Sequence, residues 1–168
     1  MANERHEVPQ GGLKWNIKER FREYVRSLPD GAETWTGDAG RMEPEALVFD
    51  FDGAETDGAG GRILRFKGSV RFQGYRGALR VDIADPWVEE TVGGMVITAD
   101  IAPPGTGPRR VPLATLPAAA PAGHDDRGDF IQAATQLTEE GSALLGSVYP
   151  PGSEADPVTY HVTGLPLG

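Results

Sequence analysis

The sequence predicts a mainly β fold with one helix near the N-terminus and a second, short helix near the C-terminus, and three observations predict it. The apolar residues recur at helical spacing over residues 16–28 and then alternate with polar ones from residue 46 onward. The 23 Gly and 14 Pro exceed average usage, which implies many turns and short elements. A length of 168 residues fits one domain with a real core, read as a tail over 1–12 and a single domain over 13–168.

Ile17, Phe21, Tyr24, Val25 and Leu28 fall on one face of a helix over 16–28. Asn16 with Glu19 resembles a capping box, and Pro29-Asp30-Gly31 is a strong stop. Residues 46–51 then form a strand leading into a Gly-rich turn over 52–61. Strands over 63–66, 69–73 and 79–83 follow, the last two joined by the turn Gly74-Tyr75-Arg76-Gly77. This pattern is an antiparallel meander with one face in the core. Asp85-Pro86-Trp87-Val88 interrupts it, and a strand over 95–101 ends at the breaker Pro103-Pro104-Gly105. A short strand over 110–116 precedes a Pro-, Ala-, Gly- and Asp-rich surface loop over 117–129. After a strand over 130–137, Thr138-Glu139-Glu140 opens the second helix, its acidic first turn suiting the positive end of the helix dipole. Tyr149-Pro150-Pro151-Gly152 ends that region, and residues 158–163 alternate as a closing strand. There is no internal repeat.

Composition excludes several functions. A net charge of −9 and a pI near 4.8 argue against a nucleic-acid partner, whose backbone draws its affinity from clustered Lys and Arg. Basic residues do cluster over 14–26 and 62–80, which leaves room for a small anionic ligand. Without cysteine there is no disulfide, thiolate metal site or cysteine nucleophile. No segment approaches the ~18 apolar residues of a membrane span, and residues 1–12 lack an apolar leader region. The expectation is a cytoplasmic protein with no membrane partner. Nucleotide-binding and hydrolase motifs are missing, and His6, His124 and His161 lack ligand spacing. The adjacent carboxylates Asp125-Asp126 and Glu139-Glu140 read as solvated charge.

Three blocks of sequence carry a resemblance. The run from Gly12 through Trp15, Phe21 and Tyr24 to Val25 is the first, and Phe66 through Gly74-Tyr75-Arg76-Gly77 to Leu79, followed by Asp85-Pro86-Trp87, is the second. Leu137-Thr138 through Gly141, Tyr149-Pro150-Pro151-Gly152 and Asp156-Pro157-Val158-Thr159 make the third. In this order and spacing they resemble the HtaA domain, the haem-transport-associated domain of actinobacterial cell-surface proteins, over nearly the whole chain. The resemblance implies two antiparallel sheets, sandwich-like, with short helices, and a haem whose iron is held by the tyrosine of the N-terminal helix, here Tyr24. A phenolate is a hard anionic ligand for ferric haem, and a free phenol has a pKa near ~10, so a neighbour has to stabilise the anion.

Two positions depart from the resembled pattern. Its Gly-His-x-Gly stands here as Gly74-Tyr75-Arg76-Gly77, and a small hydroxyl residue one turn before the tyrosine is here Arg20. One reading keeps haem, with Arg20 on a propionate, Tyr75 or Arg76 hydrogen-bonded to the Tyr24 phenolate, and Tyr149 beside the pocket. Such a protein is an intracellular haem carrier, buffer or sensor. A second reading has Arg20 filling the porphyrin's space, in a cytoplasmic biosynthetic enzyme, an isomerase or cyclase, that uses Tyr24 and Tyr75 as acid and base and Arg20 as an anion clamp. A third is a partner-binding module without ligand. Taken alone, Tyr24 is an ordinary core aromatic, Arg20 a solvated helix arginine, and Trp15 and Trp87 core residues. Oligomeric state is open at this stage.

Overall fold

The computed structural model describes residues 12–43, 46–56, 61–91, 94–102, 107–116, 122–125 and 128–161. Most of the tail, with His6, lies outside them, as do Pro103-Pro104-Gly105, Asp126 and the final residues of the closing strand. The strands are β1 (Gly12–Trp15), β2 (Ala32–Thr36), β3 (Arg41–Glu43), β4 (Ala46–Thr56), β5 (Arg62–Lys67) and β6 (Ser69–Gly74). They continue as β7 (Leu79–Thr91), β8 (Gly94–Ile101), β9 (Arg109–Leu116), β10 (Ala122–Asp125), β11 (Gly128–Leu137) and β12 (Glu154–His161). Helix α1 spans Glu19–Ser27 and α2 spans Glu139–Leu144.

The mainly β reading with two helices holds, but the two-sheet sandwich does not. Strands β7, β5, β4, β1, β12, β11, β9 and β8 pair in turn, all antiparallel, and β8 returns to β7, so eight strands close into a barrel. Alternation reports which side of a strand is buried and is silent on whether the first strand of a sheet meets its last. Closure needs a curved sheet, and register shifts in the pairs β4/β5, β7/β8, β8/β9 and β11/β12 supply bends. Side chains fill the interior. Tyr160, Leu13 and Phe49 are cross-strand partners in one row, and Leu64, Phe66, Val88, Ile97, Leu113 and Val158 are buried with them.

The sheet branches at one point. β5 and β6 form a single path bent at Gly68, where φ is +150° and an added Cβ would lie 2.6 Å from the Trp35 ring. Opposite it, Asp85 bulges out of β7 at φ 53°. The Asp85 N–H donates to the Gly68 carbonyl at 2.8 Å, and the Gly68 N–H donates to Asp85 Oδ1 at 3.2 Å. Beyond this clamp β5 continues in the barrel, while β6, the first half of β7 and β2 diverge as a three-stranded ribbon. Asp85 to Val88 is therefore a bulge inside a 13-residue strand and not a break. Trp87 is half-buried beside the guanidinium of Arg110, 3.9 Å from its ring centre.

Helix α1 packs on the ribbon, with Phe21 edge-on to Phe72 at 5.3 Å and Val25 fully buried. It is shorter than the periodicity implies, because Ile17 takes φ 67° and lies outside the helix. The capping box does not form. Asn16 Oδ1 accepts from the Leu47 N–H at 2.9 Å, and Asp156 Oδ1 takes the first-turn N–H of Glu19 at 3.0 Å. α2 is capped as its sequence suggests, with Thr138 Oγ1 accepting from the Gly141 N–H. The supposed loop over 117–129 contains β10, which pairs with β11 as a hairpin, and β4 runs through the first part of the supposed Gly-rich turn. The short strands β1, β2 and β3 were too brief or too polar to show as alternation. Among the described residues no helix is long and apolar enough to cross a membrane.

Two side chains make the fold's energetics testable. Arg22, buried on α1, forms a two-point ion pair with Glu33 of β2, Nε to Oε2 at 2.6 Å and Nη2 to Oε1 at 3.2 Å. Removing one partner of a buried pair strands the other charge, so Glu33→Ala should cost about 3–5 kcal/mol in denaturant unfolding. Glu19→Ala, which loses only the exposed pair with Arg26, should cost less than ~1 kcal/mol. Tyr160 donates to Met95 Sδ, and burial pushes its pKa up to about 12, with Arg62 opposing the rise and Glu90 adding to it. A phenol whose pKa is higher folded than unfolded stabilises the fold below the unfolded value and loses that contribution as pH climbs through the folded one. Unfolding free energy should therefore fall by about 2–3 kcal/mol more between pH 10 and 12 in the wild type than in Tyr160→Phe.

Candidate functional site

The site forms where α1, the turn between β6 and β7, and the segment after α2 converge outside the barrel. The helix presents its residues differently from the sequence expectation. Within Glu19–Ser27 the buried side chains are Phe21, Arg22 and Val25, whereas Tyr24 is 42% exposed. Tyr24 is thus not a core aromatic. Its hydroxyl lies 2.7 Å from that of Tyr75, itself 53% exposed, with the rings tilted by 50° and their centres 6.5 Å apart.

Tyr75 reaches this position through an unusual turn. Tyr75, Arg76 and Gly77 all have positive φ, 51°, 55° and 93°, a left-handed conformation that L side chains disfavour. Asp30 faces the turn from the end of α1. Its Oδ1 accepts the Tyr75 N–H at 3.0 Å and its Oδ2 the Arg76 N–H at 2.6 Å. Gly74 lets the turn settle on Leu28, since a Cβ there would stand 2.5 Å from Leu28 Cδ1.

Tyr149 approaches from the other side, half-buried, with Lys18 Nζ 5.1 Å above its ring and Ser142 Oγ donating to its carbonyl. Burial raises its pKa while the charge of Arg20 pulls the other way, and Tyr149 in turn adds to the rise at Tyr24. Tyr24, Tyr75, Tyr149 and Arg20 therefore share one electrostatic neighbourhood. Arg20 and Arg76 are exposed, and Arg76 makes no bond to Tyr24 among the described residues; its N–H serves Asp30. Val148, 72% exposed, lies next to Tyr149 in the chain, and with Tyr24 and Tyr75 it completes the exposed large hydrophobic residues among those described.

Both hydroxyl-bearing rings of the pair are exposed. Grooves of about 290, 220 and 310 Å³ lie elsewhere, the first two sharing Arg80, Asp82, Ile101 and Ala102 and the third beside Lys14, Asn16 and Asp156; none is lined by Tyr24, Tyr75 or Tyr149. No group of three His, Asp or Glu side chains among the described residues is placed to hold a metal ion. The Tyr24 pKa is raised, first by the hydrogen bond to Tyr75, then by partial burial and the neighbouring phenols. At neutral pH Tyr24 keeps its proton, which makes it a poor general base and a competent hydrogen-bond donor.

The expected residues are thus brought together, except that Arg76 contributes backbone in place of its side chain. Asp30 and Lys18 were not anticipated. Asp30 sits in a Pro-Asp-Gly stop that explains itself locally, and nothing near it in sequence points to residue 75. Tyr75→Phe removes the bond that raises the Tyr24 pKa, so the Tyr24 titration, followed by tyrosinate absorbance, should move down toward the ordinary ~10.

The chain is thus a closed β-barrel with a helix-bearing ribbon that presents an exposed tyrosine pair on its outer surface. The family model described as Htaa matches residues 10–161, and the chain belongs to the HtaA family. Among solved structures it is similar to the C-terminal domain of HtaA from Corynebacterium glutamicum, at 22% identity and a TM-score of 0.74, covering 91% of this chain and 95% of that one. The N-terminal domain of the same protein gives 21%, 0.68, 92% and 97%, and the heme binding protein HtaB of that organism gives 15%, 0.63, 89% and 90%. At these identities the likeness establishes the fold. No curated protein sequence matches the chain.

Proposed function

We propose that this domain binds haem on its outer face, with Tyr24 as the axial ligand of the iron, and serves as a haem carrier, buffer or sensor. The observation that carries the reading is the tyrosine pair: an exposed phenol on a fixed helix, hydrogen-bonded to a second phenol and bordered by exposed apolar surface and cations. Family membership supports it, as does the fold shared with a protein described as heme binding.

The donor set fits a ferric porphyrin. Tyr24 offers a hard oxygen whose one hydrogen-bond partner among the described residues can turn from acceptor to donor. Haem supplies a ferric Lewis acid and a flat apolar ring. Tyr24 would hold the iron through its deprotonated oxygen, its proton passing to solvent, and the Tyr75 hydroxyl would donate to that phenolate. Tyr149 and Val148 offer apolar contact, and Arg20, Lys18 and Arg76 are the cations within reach of the propionates. The enzyme reading loses Tyr24 as a general base, because its raised pKa keeps the phenol protonated at neutral pH.

Hemin titration should give a high-spin ferric tyrosinate spectrum that is lost in Tyr24→Phe. Because the ligand is a phenol that ionises on binding, the affinity should rise about tenfold per pH unit below the Tyr24 pKa, with one proton released. A spectrum equal to that of free hemin, or one unchanged in Tyr24→Phe, would refute the proposal.

A further inference from the structure

The turn that carries Tyr75 holds two consecutive non-glycine residues in left-handed backbone, and its two N–H groups converge on one carboxylate. Such a conformation is unfavourable for an L residue unless its surroundings enforce it. The enforcing group is visible. Successive N–H groups in this conformation form a concave, electropositive nest, and the Asp30 carboxylate fills it with one oxygen on each N–H.

Asp30 is itself anchored. It follows α1 directly, between Pro29 and Gly31, where a Cβ at Gly31 would collide with the Val25 carbonyl at 1.7 Å and the Gly31 N–H closes on the Leu28 carbonyl at 3.0 Å. The segment bearing Asp30 is thus fixed to the last turn of the helix that bears Tyr24. The two halves of the tyrosine pair, 51 residues apart in sequence, are tied together through one carboxylate at the base of the turn.

We infer that Asp30 is the positioning residue of this site: by neutralising the nest it sets the left-handed turn that brings the Tyr75 hydroxyl to Tyr24, and so fixes which proton the Tyr24 oxygen shares. The inference rests on the tyrosine pair as the site, but not on haem being its ligand. Without Asp30 the turn is free to leave the left-handed region, and the exposed Tyr75 swings away from Tyr24. Asp30 touches no ligand under this assignment.

The test starts without haem. Tyrosinate absorbance against pH should show the Tyr24 step moving down in Asp30→Ala by the same amount as in Tyr75→Phe. The double variant should show no further shift, since both changes remove one bond. Asp30→Asn, which keeps an acceptor for one N–H, should fall between, and it covers the case in which Asp30→Ala does not fold. A Tyr24 step that stays at the wild-type pH in folded Asp30→Asn and Asp30→Ala, while Tyr75→Phe moves it, would overturn the inference. So would additive shifts in the double variant. With hemin, Asp30→Ala should reproduce the tyrosinate charge-transfer band of Tyr75→Phe, and a wild-type band would again count against Asp30. If hemin does not bind the wild type at all, the haem proposal falls while the ligand-free titration still decides the role of Asp30.

Discussion

The reciprocal hydrogen bonds between Gly68 and Asp85 are where the molecule divides into a barrel and an outboard ribbon. A strand as long as β7 would ordinarily lie in one sheet, and its first half could only continue the barrel wall. The Asp85 bulge and the Gly68 bend turn both strands together at the same level, and Trp35 stacks against the glycine where a side chain would stand. β6 leaves the wall at this level, and with it come β2 and the surface on which α1 lies. Everything at the tyrosine site hangs from that departure.

The ribbon is then stiffened by two kinds of contact. Apolar packing of Phe21 on Phe72 and the burial of Val25 supply the non-directional part, and the ion pair of Arg22 with Glu33 fixes the helix about its own axis. The pair is incompletely satisfied, since Arg22 Nη1 is buried without a partner. An unpaired buried donor is a cost, so the pair is better understood as setting the rotation of α1 than as a large net gain in stability. With Arg22 turned inward, Tyr24, two residues further, faces out.

That same residue explains what the sequence could and could not show. The longer strands, both helices and the three sequence blocks were legible because each rests on local spacing. The orientation of Tyr24 was not. Ile17, Phe21 and Val25 are buried as their spacing implies, but the place beside them is taken by Arg22, and a buried arginine is invisible to an apolar pattern. Barrel closure was hidden because it depends on β8 returning to β7 with bulges that no run of side chains announces. That Tyr24, Tyr75, Arg20 and Tyr149 lie near one another was legible only through a resemblance spanning the chain. Asp30 was hidden because its partners lie 45 and 46 positions away.

The packed interior of the barrel has a consequence for how such a domain can change. Its lumen is occupied by its own side chains, so the outer face and the core draw on separate sets of residues. Tyr24 and Tyr75 contribute little burial, and exchanging either one alters the chemistry on offer while leaving the wall of Leu13, Phe49 and Tyr160 untouched. A tyrosine can thus stand where the resembled pattern has histidine without any repacking beneath it. The outer face is free to change residue by residue, because the architecture that displays it does not depend on what is displayed.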